Sequence, residues 1–247
     1  MRKYSNISYG EFKENLFDLY LPEKESFDLF IYFHGGGLEW GSKDNDVIIF
    51  EYLAENGIAA ASIDYRMFPT AKYPDFIEDC AAAVAYLKKF ISDYGKCNRI
   101  FIGGSSAGGY LSMMLCFDNR WLAKHGLYPT DFNGYIHDAG QPTNHFNILK
   151  KSGIDSRRVI IDETAPLFHI GEEENYPPML FIASDNDMTN RYEQTMLTIS
   201  TLKHFGHSED KVKLIVKNGT HCHYVGQKDE NGNSILGGMV AEFINSI

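Results

Sequence analysis

Apolar and polar positions along this chain follow two alternating periods. Short apolar runs at Leu29 to Phe33, Ile58 to Ile63, Arg99 to Gly103 and Met179 to Ala183 have the length of buried strands. Asn15 to Leu21 alternates in part and reads as a strand, and Tyr135 to His137 and Lys213 to Val216 suggest two more. Between them lie segments of helical period. Asp44 to Asn56 stops at Asn56-Gly57, and Pro74 to Tyr94 has proline in its first turn and Gly95 beyond its end. Ala107 to Phe117, Arg191 to Phe205 and Gly237 to Ile247 are the other helices. Strands alternating with helices predict an α/β fold with a mostly parallel, doubly wound sheet of about seven or eight strands. No repeat or low-complexity linker divides the chain, so residues 1–247 read as one domain. The stretch from Asp118 to Tyr176 is less regular and rich in Gly, Pro, Asn and His. It predicts either a small cap or lid over a site, or a long excursion of loops and short helices.

Composition narrows the class. With 44% hydrophobic and 23% charged residues the chain is an ordinary globular one. A net charge of −10 argues against binding a phosphate backbone. It also repels anionic substrates unless a local basic patch intervenes, so a neutral small molecule is the expected substrate. No run reaches the length of a membrane span, and Met1 to Gly10 lacks the apolar core of a signal peptide. The four cysteines, Cys80, Cys97, Cys116 and Cys222, show no paired spacing and read as free thiols of a cytoplasmic protein. Nothing in the sequence sets the oligomeric state.

The chemistry begins at Gly104-Ser105-Ser106-Ala107-Gly108, a G-x-S-x-G pattern between an apolar strand and an apolar helix. That context is the one required of a nucleophile elbow. A serine on a strained strand-to-helix turn needs small neighbours, and the following helix points its free N–H groups at the site. Ser106 is the expected nucleophile. Ser105 falls at the variable position of the pattern and faces elsewhere.

His34-Gly35-Gly36-Gly37 follows directly on the strand Leu29 to Phe33. Consecutive glycines let backbone N–H groups approach a tetrahedral oxyanion, as in the corresponding loop of lipases and esterases. Gly36 and Gly37 are the expected donors, with Ala107 as a third, and His34 braces the loop. Leu38, Glu39 and Trp40 come next. Leu38 and Trp40 are candidate pocket residues, Trp40 as an apolar wall or a face for stacking a sugar, with core packing as its plain alternative.

In a fold of this kind the acid follows the penultimate strand and the histidine follows the last. Asp185-Asn186-Asp187 ends the strand Pro178 to Ser184, and either aspartate can serve. Thr220-His221-Cys222-His223 follows the last strand. His221 is the expected general base and His223 its rival. The two histidines could also be read as metal ligands, but no third ligand clusters with them.

Taken together, His34 to Gly37, Asp64-Tyr65-Arg66, Tyr73-Pro74, Asp79, Gly104 to Gly109, Pro178 to Asp187 and Gly219 to His221 resemble the hormone-sensitive-lipase-like branch of the α/β-hydrolases. The resemblance implies hydrolysis of carboxylic esters with small acyl groups, without cofactor. It favours Asp187 over Asp185 as the acid, and it implies a buried polar contact between Arg66 and a carboxylate such as Asp79. Two departures stand out. Ser105 occupies a position where many relatives carry Asp, and the extended N-terminal cap helices have no counterpart. The segment Gly140 to Asp162 would cover the pocket instead. These features look more like small bacterial esterases, including those acting on acetylated sugars or aryl esters. An amidase or formamidase on the same triad is the alternative, and a non-catalytic binding protein of the same fold a more distant one.

Overall fold

Eight strands make one sheet: β1 (Arg2–Ser8), β2 (Leu16–Leu21), β3 (Ser26–Phe33), β4 (Ile58–Ile63), β5 (Lys96–Ser105), β6 (Gly134–Asp138), β7 (Met179–Ser184) and β8 (Val212–Lys217). Their order is β1-β2-β4-β3-β5-β6-β7-β8 in the computed structural model, which describes residues 1–247. β1 and β2 run antiparallel, and every neighbouring pair from β4 to β8 is parallel. The helices are α1 (Val47–Glu55), α2 (Asp75–Phe90), α3 (Ala107–Phe117), α4 (Arg120–Ala123), α5 (Phe146–Lys151), α6 (Arg191–His204) and α7 (Ile235–Ser246).

The period of two along β3 explains how both faces are covered. Leu29, Ile31 and Phe33 pack into one core with Phe76, Val84 and Leu111 of α2 and α3. Phe30 and Tyr32 point the other way, into a second core with Phe50 and Leu53 of α1 and Val240 and Ile244 of α7. A strand buried on both faces reads as a continuous apolar run. Each large apolar side chain so buried stabilises the fold by about 1.5–3 kcal/mol relative to exposure. β4 carries Ala59, Ala60 and Ala61, all fully buried, between β2 and β3.

β1 was not foreseen. Its sequence, RKYSNIS, is polar and exposed, so periodicity gives no signal. Backbone pairing to β2 holds it, aided by the Asn6 N–H donating to Asp18 at 2.9 Å and by the Lys3–Asp18 ion pair at 3.0 Å. α2 ends at Phe90, and a single 3-10 turn over Ile91–Asp93 finishes the segment that the sequence extends to Tyr94. Within residues 118–176, β6 is a core strand between β5 and β7, and α5 beyond it reaches the loop after β3 through Asn147. In the parallel part of the sheet the C-terminal ends of β3, β5, β6, β7 and β8 lie along one edge, where open α/β sheets bind ligands.

Candidate active site

Ser106 follows β5 and caps α3 with φ 56° and ψ −112°, a conformation that crowds a side chain. The Ser106 N–H donates to the Asp138 carbonyl at 2.8 Å, which ties the elbow to the end of β6. Glycine at 108 is required by close approach: a Cβ there would lie 1.9 Å from the Phe33 carbonyl oxygen. α3 therefore sits against β3, and its first turn opens beside Ser106.

Three side chains form one line of hydrogen bonds. Ser106 Oγ lies 2.8 Å from His221 Nε2, and His221 Nδ1 lies 2.6 Å from Asp187 Oδ1. With the proton on Nδ1, the ring donates to the carboxylate and accepts the serine hydroxyl through Nε2. The Asp187 side chain is only 1% exposed. Asp185 has other work. Its Oδ1 accepts the Gly219 N–H at 2.8 Å and so fastens the loop after β7 to the loop after β8. His223 is exposed, its Nδ1 2.8 Å from the Thr220 carbonyl, and it joins neither the line nor a shared ligand set with His221. Cys222 lies beside His221, and burial raises its thiol well above the usual range, which suits packing and not nucleophilic attack.

The glycine loop faces the same cavity of about 480 Å³ as Ser106 and His221, together with Trp40, Asn45, Phe146 and Met188. Gly36 and Gly37 take positive φ values of 115° and 64°. Neither N–H is used within the fold, whereas the Gly36 carbonyl accepts from Glu39 and Trp40 N–H at 3.1 Å each. The Ala107 N–H opens α3, where no intrahelical acceptor exists. His34 is stacked on Tyr65 at 4.4 Å, and the Tyr65 hydroxyl donates to the His34 carbonyl at 2.8 Å. Burial lowers the His34 imidazole to about 4, so it stays neutral at pH 7. The Arg66 side chain makes a bidentate contact with Asp79, both bonds 2.8 Å.

Leu38 needs correction as a pocket residue. The left-handed backbone at Gly37 and at Leu38 itself (φ 63°) turns its side chain inward, where it is fully buried in the core, and its carbonyl accepts the Phe68 N–H at 2.9 Å. Trp40 is 69% exposed and lines the cavity.

Two residues at the site escaped the sequence reading. Asp138, fully buried at the end of β6, accepts hydrogen bonds from the Ser105 and Tyr224 hydroxyls. Ser105 thus carries a hydroxyl where many members of the resembled branch carry Asp, and the carboxylate comes from the neighbouring strand. The position of Asp138 at a strand's C-terminal end was the one available signal. Asn147 donates from its side-chain amide to the Gly37 carbonyl, and no local pattern marks it.

A parallel sheet with a serine elbow after β5, an acid after β7 and a histidine after β8 defines the α/β-hydrolase fold. The chain belongs to the prolyl oligopeptidase family, whose model matches residues 72–243. A second model, BD-FAE, matches residues 17–126. The hormone-sensitive-lipase-like branch goes no further than a likeness of motifs. A probable isoprenylcysteine alpha-carbonyl methylesterase from Oryza sativa is 35% identical over 111 residues, 43% of this chain and 26% of that protein. A carboxylic ester hydrolase, LipN, from Mycobacterium tuberculosis is 34% identical over 141 residues, 51% of this chain and 37% of that protein. The matched stretches thus span well under half the length of these curated relatives. The solved structure of an esterase from Thermogutta terrifontis with propionate bound superposes with a TM-score of 0.78 at 20% identity, covering 98% of this chain and 93% of that one. At that identity the likeness is one of fold. No helix of this chain is long and apolar enough to cross a membrane.

Proposed function

We propose that this chain hydrolyses carboxylic esters of small molecules through an acyl-enzyme on Ser106. The observation that carries the reading is the unbroken line Ser106–His221–Asp187 at one wall of a cavity rimmed by unused N–H groups. Ser106 Oγ attacks the ester carbonyl as its proton passes to His221 Nε2. Asp187 orients the imidazole and stabilises the imidazolium. Gly36, Gly37 and Ala107 N–H groups receive the oxyanion. The imidazolium then protonates the leaving alkoxide, and water, activated by His221, releases the acid.

The cavity has room for a small ester, and Trp40 on its lining offers a flat wall to an aryl or sugar alcohol. Residues 1–247 act as one domain in this reading, and the part of 118–176 that covers the site is the stretch around α5. The four unpaired cysteines support a cytoplasmic setting. The first experiment compares p-nitrophenyl acetate, longer acyl homologues and the matching anilide with wild type and Ser106→Ala, alongside labelling by a serine-directed phosphonate. Turnover of short esters and single labelling, both lost in the variant, support the reading. Faster cleavage of the anilide would move the amidase alternative to the front, and an inert, unlabelled wild type would overturn hydrolysis on Ser106.

A further inference from the structure

A second cavity, of about 400 Å³, adjoins the first, and Phe146 and Met188 line both. Its wall holds Arg157, Arg158 and Arg191 and no carboxylate, in a chain whose net charge is −10. Arg191, at the start of α6, is 5% exposed. Its guanidinium is held by two neutral acceptors: Nη1 donates to the Ala139 carbonyl at 2.8 Å and Nη2 to Gln141 Oε1 at 3.3 Å. No carboxylate is among its partners. Asp187 is the acid whose field it feels, and that carboxylate is already bonded to His221. A buried cation with no carboxylate bonded to it is costly, and a ligand that brings one is favoured.

The other groups fit the same ligand. Arg157 is paired in bidentate fashion with Asp155, but exposed Arg158 pairs with no acid. Gln194 accepts the Thr143 hydroxyl at its Oε1, at 3.2 Å, and its amide N–H groups have no protein acceptor. Planar guanidinium and amide donors around a cavity suit a carboxylate.

We infer that this cavity is a subsite for a carboxylate carried by the ester substrate, on the part that extends from Ser106 past Phe146 and Met188. The inference rests on hydrolysis at Ser106 and deepens it. The expectation of a neutral substrate carried the condition that no local basic patch intervenes, and on this inference the cavity is such a patch, able to take an anionic ester alongside neutral ones.

The test pairs charged with neutral esters of the same shape. para-Acetoxybenzoate is compared with para-acetoxybenzamide, and mono-p-nitrophenyl esters of dicarboxylic acids of increasing length with those of the matching monocarboxylic acids. In wild type the charged member of at least one pair is preferred by about tenfold or more in kcat/KM, through KM, and salt weakens the preference. Arg158→Glu reverses the preference. Phosphonate labelling of Ser106 and circular dichroism report whether that variant is folded. No preference in any pair, or a preference that Arg158→Glu leaves intact, overturns the subsite. A binding arm needs no turnover: Ser106→Ala is titrated calorimetrically with adipate and with adipamide. Saturable binding of adipate alone, lost when Arg158→Glu is added, supports the subsite even if wild type cleaves no ester, in which case only the catalytic reading fails. Equal behaviour of the two ligands overturns the subsite even where neutral esters are cleaved.

Discussion

The side-chain amide of Asn147 donates to the carbonyl of Gly37 at 2.6 Å across 110 positions of chain. Gly37 belongs to the loop after β3, and Asn147 to α5, a six-residue helix. One bond thus couples α5 to the glycine loop whose N–H groups are the proposed oxyanion donors. A loop of glycines has many conformations to lose, and an outside donor that fixes one of them makes the N–H groups ready before substrate arrives.

Asn147→Ala is therefore expected to lower kcat for p-nitrophenyl acetate by about tenfold, a fraction of the cost of deleting an oxyanion donor outright. Asn147→Asp is expected to be worse, since its carboxylate would face the Gly37 carbonyl. Steady-state kinetics on both variants checks this, and equal rates for Asp and Ala would argue against the hydrogen bond as the cause.

The two neighbouring aspartates should separate cleanly. Asp187→Asn is expected to cut kcat by about 10⁴-fold, because the imidazole loses the partner that sets its tautomer. Asp185→Asn keeps an oxygen acceptor for the Gly219 N–H, so a loss of less than about tenfold is expected from a weaker but surviving neutral hydrogen bond. Reversed effects would reassign the acid.

Acid should destabilise the fold through buried histidines. Burial lowers His137 and His145 to about 3 and His34 to about 4. These folded values lie below the unfolded one, so unfolded chains bind more protons as pH falls below about 6.5. The stabilisation is complete above that pH and is lost on the way down. For His137 the loss between pH 7 and pH 4.5 is about 3 kcal/mol. His137→Phe, among Tyr135, Phe117 and Phe181, removes the titration without removing the ring, and Ser112 keeps its bond to the Gly109 carbonyl. Urea midpoints across this range should fall less steeply for the variant.

Asp138 works in the opposite direction. Burial, partly offset by the Ser105 and Tyr224 hydroxyls, raises it to about 6. A carboxyl raised above its unfolded value contributes stability that is present at low pH and is lost as pH rises toward 6. Asp138→Asn should remove that loss. The urea midpoint of the variant relative to wild type should therefore climb between about pH 4 and pH 6. A flat difference would mean that Asp138 is not raised.

What could be read from the chain depended on how local each determinant was. The elbow around Ser106 and the glycines at 35–37 are contiguous, and each carries its own steric reason, so both were legible. Strands buried on both faces announced themselves as apolar runs, whereas polar β1, held by backbone pairing, did not. Leu38 looked like a pocket residue because it follows the glycines, but φ values at 37 and 38 decide where it points, and those depend on the whole loop. The choice between Asp185 and Asp187 depends on which one the Gly219 N–H claims. Asn147 and Arg191 act through partners far off in sequence, and no pattern of neighbours discloses them.

Ser106 holds its hydroxyl on a backbone that glycine would adopt with ease and serine resists, at φ 56° and ψ −112°. Such a residue costs about 1–3 kcal/mol. The chain would gain heat resistance by giving up its proposed nucleophile. Selection of variants for thermal survival alone would thus enrich Ser106→Gly, inert on the proposed mechanism, and a library screened that way would map this position as a defect. Only a selection that also demands turnover would keep it.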